Sequence, residues 1–440
     1  MESENTPKVC IFTNFTDCDF AYSLTRVTED QIKMFNRNGY KVRVIVAESF
    51  IPEGEFKNCE LARIPNVPCH NEVKTDPTFD QDIKSIKDSL KSALEGIKTC
   101  ITQDIVYKPS ELKHQLALRA LIAEGGPEKD ITYLHWINSA TPPITLGNLM
   151  GIFTDEYIKV FEKPIPNSYY VFFNDISKEI IAKNFSTTVD KVRVVHHPSD
   201  LDSVYGVTDK NLSSFLRKRN VYEADAICIY PIRLDRGKQV EYPIKTMAKL
   251  KELGLDVRMI VVDFHSTGGD KVVYREDLKK IGIEYGLNAK ELAFTSEFCE
   301  DWRVEVPHDV VTALFRISNV FVMSSVSESY SLITQEAALT GNIIVLNQDF
   351  PPFQDIFGTD AIFAKYSSNW IVSDGYDEAM RDGEQTTTKY NDEHAYHMKT
   401  AGKILDRLNN DIGFAMQRKI RKERGLDVIF KKELEPLLYI

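Results

Sequence analysis

With 440 residues the chain exceeds what one hydrophobic core usually organises, so two domains are expected. Its hydrophobic share of 43% and charged share of 27% are those of a globular protein, and no apolar run reaches the roughly 20 residues that a membrane-spanning helix needs. The net charge of −11 speaks against a sequence-blind nucleic-acid binder, which needs a cationic surface, but leaves room for a local basic patch.

The chain opens MESENTPKVCIFTNF, with neither the basic start nor the apolar stretch of a signal peptide, and the cytoplasm is the expected address. KVCIFTNF (8–15) reads as a buried strand, SLTRVTEDQIKMFNRNGY (23–40) as a helix that stops near Gly39, and KVRVIVAE (41–48) as the next strand. Strand, helix, strand at this spacing is a parallel βαβ unit. Residues 52–103 are less regular, with an amphipathic helix over 83–97. DIVYK (104–108), a helix through about Ala123, DITYLHWIN, YYVFFND, a helix over SKEIIAKNF and KVRVVHHP continue the alternation to residue 198. The pattern restarts with AICIYPIR (226–233), a helix over 240–254, VRMIVVDF (257–264), a helix over 277–286, ELAFTSEF, DVVTALFRIS, NVFVMSS, a helix after Glu328 and NIIVLNQ. Two series of βα units predict two Rossmann-like doubly wound α/β domains: 1–205 on the acceptor side and 220–400 on the donor side, joined within 201–224. A charged helical segment, 401–440, is expected to return toward the N-terminal domain. The seven cysteines include no C-x-x-C pair and read as reduced thiols, and neither they nor the histidines have zinc-ligand spacing.

The stretch FVMSSVSESYSLITQEAALTG carries the functional signal. A strand hands over to a helix through Glu328, and Glu336 follows with seven residues between. Ligands of open α/β sheets bind beyond the carboxyl ends of the strands, and a helix start there offers unpaired N–H groups to an anion such as phosphate. A carboxylate in that turn repels phosphate, so Glu328 suits neutral hydroxyls. Glu336 lies on the order of 10 Å along the helix at about 1.5 Å per residue. Sugar hydroxyls at one glutamate, a diphosphate at the helix end and ribose at the other match a nucleotide-diphosphate sugar. YPIRLDRGKQ places Arg233, Arg236 and Lys238 at another strand end of the same sheet. Arg233 and Lys238 could neutralise a diphosphate without a metal.

These residues resemble the retaining glycosyltransferases of the GT-B fold, the group with a Glu, seven residues, Glu signature that includes glycogen-synthase-like and sucrose-synthase-like enzymes. The resemblance is strongest over 226–358 and traceable from residue 8. The family's Arg and Lys-Gly pair is matched by Arg233 and Lys238, with Gln239 where the glycine stands, and its Glu-Gly-Phe-Gly turn by Glu328, Ser329, Tyr330 and Ser331. By resemblance, Glu328 contacts donor-sugar hydroxyls, Glu336 the ribose, and the amides of Ser331 and Leu332 the diphosphate. The absent glycines leave fewer backbone conformations for a close approach. In DITYLHWINSATPP, His135 is read as sitting just past a strand, and it resembles a histidine placed over the donor sugar. The loop Asn14, Phe15, Thr16, Asp17, Cys18, Asp19 is expected to contact acceptor or donor sugar. Its Asp17-x-Asp19 matches, weakly, a metal motif of another glycosyltransferase fold, and no metal site is assigned.

The remaining motifs signal less. His196 and His197 point to opposite sides of an extended chain. STGGDK (266–271) lacks the Walker pattern. QRKIRKERG (417–425) is either a solvated helix face or a contact for an anionic acceptor or membrane surface. The resemblance implies a metal-independent, retaining glycosyltransferase with no cofactor beyond its nucleotide-sugar co-substrate. Its acceptor hydroxyl is left open among small molecule, glycan, protein and modified DNA. The alternatives are a phage-type enzyme acting on hydroxymethylated DNA bases and a non-catalytic nucleotide-sugar-binding module.

Overall fold

The computed structural model describes residues 8–68, 76–150, 160–161, 163–265, 268–325, 331–348, 351–364 and 393–440. Two compact units emerge, one made of residues up to Ser199 together with Leu426–Ile440, the other of Asp200–Gly425.

The first unit is built on seven parallel strands: β1 Lys8–Phe12, β2 Lys41–Ala47, β3 Glu60–Ile64, β4 Thr99–Gln103, β5 Thr132–Trp136, β6 Ser168–Phe172 and β7 Val192–Val194. Their order is β3-β2-β1-β4-β5-β6-β7. Side chains alternate across the sheet, so its central strands bury residues on both faces. Cys10 and Phe12 join one core with Cys100 and Tyr133. Val9 and Ile11 join the opposite core with Ile101, Leu134 and Trp136. The C-terminal Leu426, Ile429, Phe430 and Leu434 close this second core. Phe430 meets Phe35 edge-on at 5.6 Å, and Glu433 accepts the His196 N–H at 2.7 Å.

The second unit has six parallel strands: β8 Ala226–Arg233, β9 Val257–Phe264, β10 Leu292–Phe294, β11 Val320–Met323, β12 Ile343–Asn347 and β13 Ile362–Ala364. Their order is β10-β9-β8-β11-β12-β13. Both units are therefore doubly wound and Rossmann-like, as the alternating pattern predicts. In each, the strand order reverses beside the first strand, between β1 and β4 and between β8 and β11. Loops leaving the two strands at such a point diverge and leave a crevice.

Three segments differ from the sequence reading. The stretch 201–224, read as a linker, forms the helices Leu201–Tyr205 and Lys210–Lys218, and its Leu212, Phe215 and Leu216 lie in the second unit's core. DIVYK is a turn, because Asp104 takes a φ of +57° and ends the strand; the strand is TCITQ, just before it. Within 401–440, the chain stays with the second unit through the helices Glu393–Asn410 and Ile412–Arg424 and joins the first only at Leu426.

Candidate functional site

In the second unit the loops after β8 and β11 flank the reversal point. Arg233 is the last residue of β8, and its exposed side chain donates from Nε to Asp235 Oδ2 at 2.7 Å. A single turn of 3-10 helix, Arg236–Lys238, follows and presents a half-buried Lys238. Arg236 is drawn aside: it pairs with Asp277 at 3.0 Å, and its guanidinium lies 4.8 Å over the Tyr274 ring. The two loops are fastened together. Ser324, fully buried just after β11, donates to the carbonyl of Gln239 at 2.8 Å and lies 3.1 Å from that of Lys238. Tyr230, within β8, donates its hydroxyl to the Lys238 carbonyl at 3.0 Å. The loop carrying Lys238 is thus held from below by β8 and from the side by β11.

Glu328, Ser329 and Tyr330 lie outside the described residues. Ser331 is described, and it caps the helix Leu332–Leu339 with a φ of +61°. Gln239 caps the turn before the helix Glu241–Glu252 with a φ of +48°. Among the described residues, seven with a Cβ have positive φ, and two of them stand where the resembling family carries glycine. The left-handed conformation costs a residue with a side chain roughly 1–2 kcal/mol. The substitutions were expected to narrow the backbone's choices; the structure has both positions in the conformation that glycine adopts most readily. By helix geometry the amides of Leu332 and Ile333 have no partner within the helix, whereas that of Thr334 donates to the Ser331 carbonyl at 3.2 Å. Glu336 sits half-buried one turn further along.

A consequence is open to measurement. Gln239→Gly is expected to stabilise the protein by about 0.5–1 kcal/mol, because relief of the left-handed penalty exceeds the added unfolded-state entropy of glycine. The buried Gln239 Oε1, which has no hydrogen-bond partner, is removed at the same time. Urea denaturation checks this; a loss of stability would show that side-chain packing outweighs backbone strain there.

On the β9 side of the same sheet edge a cavity of 650 Å³ is lined by Asp235, Arg236, His265, Asp270, Lys271 and Tyr274. Asp263, fully buried near the end of β9, accepts hydrogen bonds from the Ser296 amide at 3.0 Å and the Ser296 hydroxyl at 2.5 Å. It braces the loop after β10. No sequence motif marks it.

In the first unit the loop after β1 lies at the other reversal point. Asn14, Phe15, Thr16 and Asp17 line a cavity of 150 Å³ there. Asp19 does not line it. Its Oδ1 accepts the Ala21 N–H at 2.8 Å, which fixes the loop, so the two aspartates of the D-x-D differ in role.

His135 requires a correction. It lies within β5, not past it, and is fully buried. Its Nδ1 stands 2.9 Å from Thr102 Oγ1 and its Nε2 2.9 Å from Ser168 Oγ. Burial, with a contribution from the Arg119 charge, holds its pKa down at about 3. A neutral imidazole whose two nitrogens are both engaged inside the core has no atom left to offer a sugar. The basic C-terminal run is also largely accounted for within its own unit. Arg421 is buried, and Arg418 and Lys422 lie 3.8 Å and 2.9 Å from Asp225 Oδ1.

No protein-family model matches the chain. A curated relative, the uncharacterized glycosyltransferase MJ1607 of Methanocaldococcus jannaschii, is 24% identical over 323 residues, which are 71% of this chain and 73% of that protein. The chain is homologous to a protein described as a glycosyltransferase. Among solved structures, a glycosyltransferase from Rickettsia africae ESF-5 aligns over 98% of both chains at 13% identity and a TM-score of 0.34. Anabaena Alr3699/HepE in complex with UDP and glucose aligns over 99% of this chain and all of that one, at 12% identity and a TM-score of 0.32. The sucrose-phosphate synthase of Thermosynechococcus elongatus aligns over 98% of this chain and 96% of that one, at 12% identity and a TM-score of 0.32.

Proposed function

We propose that the protein is a retaining, metal-independent glycosyltransferase that moves a sugar from a nucleotide-diphosphate sugar to an acceptor hydroxyl. The observation that carries this reading is the pair of left-handed residues, Gln239 and Ser331, at the two loops of one reversal point. A strained backbone persists where the surroundings over-determine it, and such positions cluster at ligand sites. Here they are the positions at which the resembling family places glycine against its donor. MJ1607, described as a glycosyltransferase, supports the same class.

In this reading the diphosphate sits on the first amides of the Leu332–Leu339 helix, with Arg233 and Lys238 beside it. Glu336 takes the ribose hydroxyls and Glu328 those of the sugar. As the glycosidic bond breaks, negative charge gathers on the leaving phosphate, where the two cations and the helix end stabilise it most. Departure from the face on which the acceptor arrives lets that phosphate oxygen take the acceptor proton, so no protein base is required and the configuration is retained. The DNA-modifying alternative loses support, since Arg418, Arg421 and Lys422 are engaged within their own unit.

A nucleoside diphosphate is expected to raise the melting temperature with chelator present, since a ligand at 100 times its Kd adds about 2.7 kcal/mol. Glu336→Ala should weaken that binding, whereas Glu328→Ala should leave it intact and abolish most sugar transfer. No shift with UDP, GDP, ADP or TDP would remove the donor site; equal losses of nucleotide affinity in the two variants would overturn the assigned layout.

A further inference from the structure

The helix Ile412–Arg424 lies on the second unit with its polarity reversed. Asp411 caps its start and accepts the Gly413 N–H at 2.7 Å. The residues it turns inward are largely charged. Arg421 is 3% exposed, Lys422 Nζ stands 2.9 Å from Asp225 Oδ1, and Arg418 Nε stands 3.8 Å from the same oxygen. Arg418 also donates from Nη2 to Asn409 Oδ1 at 3.2 Å, and Phe414 packs against the unit's core. Ile412, Met416 and Ile420, spaced four apart and so on one face, are 76%, 63% and 43% exposed. An ordinary surface helix does the opposite, burying its apolar stripe and leaving its cations in water. Rolling the stripe inward would take both cations from the Asp225 carboxylate.

The surroundings of the stripe are cationic. Residues 399–424 hold eight lysines and arginines against three acids, in a chain with a net charge of −11. On the preceding helix, Glu393–Asn410, Lys399, Lys403 and Arg407 are exposed and also spaced four apart. On the helix itself Lys419 is exposed beside the stripe, with Glu423 as the exposed acid at its far end. Arg217 and Lys218 end the helix Lys210–Lys218, just before the turn Val221–Glu223, where the Tyr222 carbonyl lies 3.5 Å from Arg421 Nη1.

A second copy of the chain does not suit this face. A stable dimer buries about 800 Å² per partner, more than one narrow stripe supplies, and a two-fold contact would bring the same cations together. A lipid surface asks for less. A few apolar side chains at the headgroup boundary, with cations against anionic headgroups, bind reversibly. The acidic remainder of the chain is screened beyond about 8 Å at physiological ionic strength, so the local cations decide. We propose that this face docks the protein on bilayers containing anionic phospholipid, with Ile412, Met416 and Ile420 in the headgroup boundary and Lys419 among the lipid phosphates. The docking does not rest on the transferase reading.

The test uses the full chain, sedimented with vesicles of phosphatidylcholine alone or of phosphatidylcholine and phosphatidylglycerol in equal parts. The anionic vesicles should bind it about tenfold or more tightly than the neutral ones, and less well as salt rises. Met416→Glu should weaken binding to the anionic vesicles by about tenfold or more, and Lys419→Ala by about fivefold. Both positions are exposed, so the fold should survive either change. Ile283→Glu, at a residue 71% exposed on the helix Asp270–Glu284, controls for the added charge and should leave binding unchanged. No sedimentation with anionic vesicles, equal binding to neutral ones, or a Met416→Glu variant that binds as the native chain does would overturn the proposal. So would a dimer seen by light scattering that Met416→Glu abolishes, since the face would then belong to a second copy.

Discussion

Arg233→Ala and Lys238→Ala are each expected to lower kcat for sugar transfer by about 10²–10³-fold, the usual loss when one preorganised stabiliser of developing charge is removed. Both groups act on the same leaving phosphate, so the double variant should lose much less than the product of the two. Arg233→Lys should fall between, because it keeps the charge and loses the planar fork. Arg236→Ala is the internal control. Arg236 belongs to the same short basic stretch, yet it is paired with Asp277 and stacked on Tyr274, so its loss should change kcat by no more than about threefold. Initial rates at saturating nucleotide sugar, or donor hydrolysis where the acceptor is unknown, decide the matter. Arg233 or Lys238 variants that retain more than about a tenth of kcat would place the diphosphate elsewhere.

The control works only because the structure separates three basic residues that the sequence presents alike, and the same contrast runs through the chain. β8 and β9 were legible residue for residue, since AICIYPIR and VRMIVVDF are buried on both faces and contain little else that a parallel strand would reject. β4 was not, because Thr99, Thr102 and Gln103 disguise a strand that is buried along its whole length, and the apolar DIVYK beside it looked the better candidate. The C-terminal run was ambiguous for a similar reason. Arg418, Arg421 and Lys422 are spaced three and four apart, so they share a helix face, and that face meets Asp225 from a distant strand start. Local sequence cannot show that partner. At the candidate site, residue identity singles out Arg233, Lys238 and Glu336 as candidates, while the left-handed conformations of Gln239 and Ser331 and the hydrogen bond from Ser324 to the Gln239 carbonyl have no sequence signature.

His135 is the residue on which sequence and structure diverge most, and it yields the second large effect. Its pKa is held near 3 in the folded chain, against an ordinary value of 6.5. The unfolded chain therefore binds a proton that the folded chain refuses throughout that interval, so stability is fully present above the unfolded value and is lost as pH falls through it. At roughly 1.4 kcal/mol per pH unit, the loss reaches about 2–3 kcal/mol near pH 4.5 and about 4–5 kcal/mol near pH 3. Burial is the main cause, since Thr102 and Ser168 offer hydroxyls and no countercharge to an imidazolium. His135→Gln should be somewhat less stable than the native chain at neutral pH, through imperfect packing, but should lose much less on acidification. The two stabilities should converge or cross by about pH 4.5. Burial lowers the His197 pKa as well, and comparing the two proteins at each pH cancels that contribution. Urea denaturation from neutral to mildly acidic pH supplies the curves. Parallel curves would mean that His135 accepts a proton in the folded state, and would reopen a role for it in chemistry.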